Sequence, residues 1–287
     1  MDDFYVTGEG GHSTVVASIA GGLKYGQGTP NVILVVANNA SDAWLWAARQ
    51  PWIDLISVSW AEIVPVIDES VEASREAVAA GKVNCVAAGN TAHSMIYFEA
   101  QGPAANLHVG AADSGSLRRP AYSGWPVDVL GLSPLPSADY YSVEGENNLS
   151  GTSIAAPYVC AQLARAISDA RARVGDFVEG PHGGGLVVGP SGSGFFTDGV
   201  LDRDELEDAV ESTAVPIDEE LFAGSPGPFT QGYGLVSPET IAEALEVIFG
   251  ERPRPERPEE DQWQALTDSG RDAVWDRVPD CPFDPCP

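Results

Sequence analysis

Three short stretches of this chain hold residue types that can do acyl-transfer chemistry. Gly151-Thr152-Ser153-Ile154-Ala155-Ala156-Pro157 is a small-residue turn that runs straight into the apolar stretch Tyr158 to Ala164. A serine at the start of a helix, flanked by glycine and alanine, has an exposed hydroxyl, room for a substrate backbone and unpaired helix-end N–H groups beside it. The plainer reading is capping, since Ser and Thr are favoured at helix starts for their own hydrogen bonds. Serine chemistry also needs a base and a pair of oxyanion donors, and the chain offers a candidate for each upstream. Gly11-His12-Ser13-Thr14-Val15-Val16-Ala17-Ser18-Ile19-Ala20-Gly21 puts a histidine at the opening of a helix. Asn84-Cys85-Val86-Ala87-Ala88-Gly89-Asn90 puts an asparagine just past an apolar strand. Alone, His12 reads equally well as a hydrogen bonder at the helix start, and Asn90 as a turn residue tolerant of a left-handed backbone.

Together the three stretches resemble the subtilisin-like serine peptidases (subtilases). The base motif of that family reads His-Gly-Thr-His-Val-Ala-Gly, its oxyanion motif Ala-Gly-Asn, and its nucleophile motif Gly-Thr-Ser-Met-Ala-Ala-Pro-His-Val. The resemblance spans about residues 10–248 and includes the linking segments. Asn31 to Ala37 is similar to the family's second core strand, and Leu55 to Trp60 to the strand bearing one wall of the specificity pocket. Leu107 to Asp113 with Tyr122-Ser123-Gly124 resembles the run after the oxyanion motif, and Gly232-Tyr233-Gly234 the closing Gly-x-Gly before the last helix. The departures are specific. Ser13, Val15 and Ser18 stand where the base motif has Gly, His and Gly; Ile154, Tyr158 and Ala161 stand where the nucleophile motif has Met, His and Gly. Ser13 matters most, because a glycine beside the base serves close backbone approach and a hydroxymethyl group there would narrow the cleft.

The resemblance implies a serine endopeptidase in which Ser153 is the nucleophile, His12 the general base and Asn90 an oxyanion donor. It further implies that Ser59, Trp60 and Ala61 line one side of a substrate pocket and Ala88 and Gly89 the other. The substrate is then a polypeptide, and no cofactor is required. The family's triad aspartate is not matched. It ends a core strand well upstream of the histidine, whereas this chain begins eleven residues before His12, with Asp2, Asp3 and Glu9 as the acids in reach. Three accounts follow: an upstream segment supplies the strand and the acid, a second chain supplies them, or the protein keeps the fold as a binding or scaffold domain without turnover.

The elements that must position these residues are legible from pattern. Continuous β-branched and apolar runs at about 31–38, 54–60, 83–88 and 107–112 read as parallel strands buried on both faces. Helical stretches lie between them, Ser41 to Arg49 and Ile67 to Ala80, the second with Val71, Ser74, Ala77 and Val78 at helical spacing. This alternation gives an α/β fold, a three-layer sandwich with a mostly parallel central sheet, which is also what the resemblance implies. Residues 113–150 read as turn-rich, with one short apolar run, Val127 to Leu130. A long helix ends near Arg173, and the glycine-rich stretch Gly180 to Gly199 reads as an exposed loop; Gly189 to Gly194 lacks the lysine of a phosphate loop. Asp202-Arg203-Asp204-Glu205 opens a helix with a capping-box pattern. Asp198, Asp202 and Asp204 are candidate ligands for a structural calcium ion, although they lack the EF-hand spacing and read more simply as a charged helix start. The peptidase domain is expected over residues 1–250, followed by a Pro/Arg/Glu linker and a short tail over 251–287.

Composition excludes some functions. The chain carries 42 Asp and Glu against 15 Lys and Arg, a formal charge of −27, and shows none of the basic clusters that phosphate backbones require. No run approaches a membrane span, and the first residues have neither the basic nor the apolar segment of a signal peptide. The acidic, lysine-poor surface would be relieved of self-repulsion by screening ions. Of four cysteines, Cys85 and Cys160 read as buried thiols, while Cys281 and Cys286 would pair in an oxidising compartment.

Overall fold

The structure is a computed structural model that describes residues 11–28, 40–59, 68–91, 106–124, 127–139, 141, 145–174, 185–189, 198–217 and 231–255. The chain divides into two units, Met1–Pro255 and Glu256–Pro287, and every described residue belongs to the first. The run at 31–38, the acids Asp2, Asp3 and Glu9, and the tail cysteines Cys281 and Cys286 lie outside the described residues.

Four strands form the central sheet: β1 (Leu55–Val58), β2 (Val83–Ala87), β3 (Leu107–Ala112) and β4 (Val129–Leu132). They lie side by side in that order and all run parallel. Alternate residues point to opposite faces of a strand, and both faces here are covered. On one face Cys85, Ala87, Val109, Ala111 and Val129 pack with Ile154, Val159, Leu163 and Ile167 of the long helix α4 (Thr152–Val174). On the other face Ile56, Val58 and Val86 pack with Trp44 and Ala48 of α2 (Ala40–Ala48) and Ala73 and Ala77 of α3 (Asp68–Ala79). Burial on both faces explains why the strands read as continuous apolar runs rather than alternating ones. A fixed polar network runs between the layers: Trp44 Nε1 donates to Asn84 Oδ1 at 3.2 Å, and Ser74 Oγ to Asn106 Oδ1 at 2.7 Å.

Helix α1 (His12–Gly21) buries Val15, Ala17 and Ile19 and packs on α4. The stretch 113–150 holds more regular structure than its turn residues suggest. Beyond β4, strands β5 (Leu135–Ala138) and β6 (Glu146–Leu149) form an antiparallel hairpin that packs on α1 and leads into Gly151. The glycine-rich stretch read as an exposed loop contains β7 (Gly185–Val188), whose first three residues are buried; it pairs antiparallel with β8 (Val200–Asp202). Glycines on both sides of Leu186-Val187-Val188 hid this strand, because three apolar residues are too short a run to show a period. Arg171 holds the same region, donating to both carboxylate oxygens of Asp54 at 2.9 and 2.8 Å and to the Leu186 carbonyl.

Helix α5 (Arg203–Thr213) opens with the expected capping box, Asp202 accepting from Glu205 N while Glu205 accepts from Asp202 N. Residues 234–236 then extend the sheet beside β4, Leu130 N donating to Gly234 O and Val236 N to Leu130 O. Gly232 and Gly234 hold φ of +58° and +120°, and a Cβ at Gly232 would lie 2.1 Å from the Asp128 carbonyl, so the closing glycines are a steric requirement. Helix α6 (Pro238–Ile248) follows. Among the described residues no helix is long and apolar enough to cross a membrane.

Candidate active site

The carboxyl ends of β1 and β2 and the amino end of α4 converge on Gly151. Gly151 adopts φ +144°, and a Cβ there would lie 3.2 Å from both Asn90 Nδ2 and Ser153 Oγ. The two functional groups named from sequence therefore flank the same glycine, and that residue must lack a side chain for them to approach.

Asn90 is oriented rather than free. Its Oδ1 accepts from the Thr152 backbone N–H at 2.8 Å and from Thr152 Oγ1 at 3.1 Å. An N–H can only donate, so the carbonyl end of the amide faces Thr152 and the NH₂ end faces outward. The left-handed position of this turn belongs to Gly89, at φ +84°, not to Asn90. Of the first amides of α4, Thr152 N is taken by Asn90, while Ile154 N and Ala155 N reach the Gly151 carbonyl. That of Ser153 has no partner among the described residues. Asn90 Nδ2 and Ser153 N thus remain as donors beside the half-buried Ser153 hydroxyl, the arrangement needed to hold an oxygen that gains negative charge.

Pro157 sits one turn into α4 and lacks the N–H that would bond the Ser153 carbonyl. Ser59, just past β1, fills that place, its Oγ donating to Ser153 O at 2.8 Å. A second hydroxyl, on buried Ser133, accepts from Gly151 N at 2.9 Å. Neither Thr152 nor Ser133 was singled out from sequence as a site residue. The capping preference of Thr152 concealed its bond to Asn90, and Ser133 lies in a segment with no periodic signal.

His12 is the first residue of α1, and its ring is exposed on one side. The N-cap of the helix is Gly11, which has no side chain to cap it. Enclosure by protein on its other side holds the imidazole below its ordinary pKa of 6.5. That shift is the opposite of what a partnering carboxylate produces. Helix α1 packs on α4 and on β5, which brings the histidine-bearing and serine-bearing elements into one layer.

The pocket residues divide. Ser59 supports the Ser153 carbonyl, as above. The Ala88 side chain points inward, packed with Ala112, Val127, Leu130 and Leu235. Gly89 O accepts from Gly124 N at 2.8 Å, and a Cβ at Gly124 would lie 1.8 Å from the Ala88 carbonyl. Ala88 and Gly89 thus offer backbone alone. Trp60 and Ala61 lie outside the described residues.

His108 is half-buried in β3, with Nδ1 3.4 Å from Asp128 Oδ2. Of the calcium candidates, Asp198 Oδ1 accepts from Val200 N, Asp202 caps α5, and Asp204 pairs with Arg203. Among the described residues no group of three or more His, Cys, Asp or Glu is placed to hold a metal ion. Cys85 and Cys160 are buried free thiols.

The parallel sheet, its helices and the Gly151 turn define a subtilisin-like fold. The chain matches no protein-family model and no curated protein sequence. It is similar in structure to the self-cleaved protease domain of PatA (TM-score 0.60, 19% identity, 84% of each chain covered). It is also similar to the prenylagaramide maturation protease PagA (TM-score 0.59, 19% identity, 84% of this chain and 83% of that one). The PatG macrocyclase domain matches as well (TM-score 0.59, 19% identity, 83% of this chain and 68% of that one).

Proposed function

We propose that the chain is a serine endopeptidase of the subtilisin-like class, with Ser153 as nucleophile, His12 as general base and Asn90 as an oxyanion donor. The observation that supports it is the placement of Asn90 Nδ2 and Ser153 Oγ about Gly151, with the amide end fixed by Thr152. In this reading Ser153 Oγ attacks the carbonyl carbon of a peptide and His12 accepts the hydroxyl proton. The oxyanion forms between Asn90 Nδ2 and the Ser153 N–H. His12 returns the proton to the leaving amine as the C–N bond breaks, which leaves an acyl ester on Ser153. Water, activated by the same histidine, releases the acid. An upstream segment or a second chain supplies the acid that orients His12.

The second reading is a fold retained for binding without turnover. It is favoured by Ser13, which stands where the base motif has glycine and whose hydroxymethyl group would narrow the cleft.

Reaction with a fluorophosphonate serine probe separates the two. Stoichiometric labelling that disappears in Ser153→Ala supports the peptidase; no labelling of wild type supports the binding domain. Labelling that survives the substitution moves the nucleophile elsewhere.

A further inference from the structure

Ser18, one of the departures from the family's base motif, has a hydroxyl that joins two elements. Its Oγ donates to the Val15 carbonyl within α1 at 2.8 Å and accepts from Ala138 N, the last residue of β5, at 3.0 Å. Glycine at this position, as in the family pattern, would leave Ala138 N without that acceptor. Two residues before the same strand begins, Ser133 Oγ accepts from Gly151 N at 2.9 Å. Gly151 in turn fixes where Asn90 and Ser153 meet. Strand β5 is therefore held at one end by the helix that opens with His12 and at the other by the turn that carries Ser153. Along its length it pairs with β6, from Leu135 opposite Leu149 to Ala138 opposite Glu146, and β6 runs into that same turn. A short hairpin clamped at both ends transmits displacement rather than absorbing it.

We propose that Ser18 and Ser133 are positioning residues that act through β5 to fix the His12 helix against the Ser153 turn. This rests on the reading of Ser153 as nucleophile and His12 as base. A misplacement of about 1 Å between reacting groups costs as much as 10² in rate, so a brace between their two supports bears on the rate of attack. It touches no substrate and leaves binding alone.

The test uses the full chain and saturation kinetics with a fluorophosphonate probe, which separate the limiting rate of labelling from the affinity for the probe. The limiting rate is expected to fall roughly 10- to 100-fold in Ser18→Gly and in Ser133→Ala. Probe affinity should change less than about twofold, because neither hydroxyl faces the probe. The double variant should lose less than the product of the single losses, since either substitution releases the same brace. Ser18→Thr, which keeps the hydroxyl, should recover most of the rate. Labelling of both single variants at the wild-type limiting rate would overturn the proposal. So would losses that multiply as at independent sites, or a Ser18→Thr variant as slow as Ser18→Gly. Wild type that fails to label, or labelling that survives Ser153→Ala, strikes the underlying assignment of Ser153, and the brace with it.

Discussion

Asn90 Oδ1 lies 2.8 Å from the Thr152 amide nitrogen and 3.1 Å from Thr152 Oγ1, both of which donate to it. This one relationship joins the strand that ends at Asn90 to the helix that begins at Thr152, and it selects which end of the Asn90 amide faces out. Among the described residues the outward NH₂ group meets no acceptor, which leaves it to an incoming oxygen.

Asn90→Ala should lower the rate of probe labelling or peptide turnover by roughly 10² to 10³, the usual effect of one lost oxyanion donor. Thr152→Val removes one of the two donors that orient the amide and should cost about tenfold, a smaller loss because the backbone N–H remains. Stopped assays on purified variants of matched melting temperature would check both. A loss under threefold for Asn90→Ala, with chemistry rate-limiting, would reduce Asn90 to a turn residue.

The pH dependence of labelling reports His12. A general base works in its neutral form, so the rate should rise with pH through the His12 pKa and be lost as pH falls through it. Enclosure lowers that pKa from 6.5, so without the acid proposed to orient His12 the midpoint of the acid limb should lie below 6.5. A midpoint above this value would show that a carboxylate partners His12.

Glu207 gives a stability signature away from the site. Burial, reinforced by Asp128, Asp204 and Asp208 and opposed by Arg203, raises its pKa from 4.5 to about 8. The folded state thus favours the neutral acid. The stability this group contributes is fully present below pH 4.5 and is lost as pH rises through about 8. Glu207→Gln should remove that decline, making the variant more stable than wild type at pH 9 by on the order of a few kcal/mol. Urea unfolding of both proteins from pH 5 to pH 9 would measure it; parallel curves would mean that Glu207 ionises freely.

Net charge gives a salt prediction. With 42 acidic and 15 basic side chains, repulsion among carboxylates opposes the folded state. Melting temperature should rise as KCl goes from low to molar concentration, because the screening length falls from roughly 30 Å at 0.01 M to 3 Å at 1 M. A flat or falling curve in calorimetry would show that the charge does not limit stability.

The parallel strands were legible because burial on both faces forces unbroken apolar sequence, as in Cys85 to Ala88, and the capping box at Asp202 because it is written in four adjacent residues. His12, Asn90 and Ser153 were legible by type and order, since each sits where a strand or helix must begin or end. Residue order alone did not bring them together. Only the tertiary structure turned the Asn90 amide, because its partner Thr152 is 62 residues away and reads locally as a cap. Only it gave Ser59 to the carbonyl that Pro157 leaves unpaired, and Ser133 to Gly151 N. Side-chain hydrogen bonds between distant segments leave no period in a sequence. They depend on where the packed sheet and helices place each backbone group, and that is decided by the core as a whole.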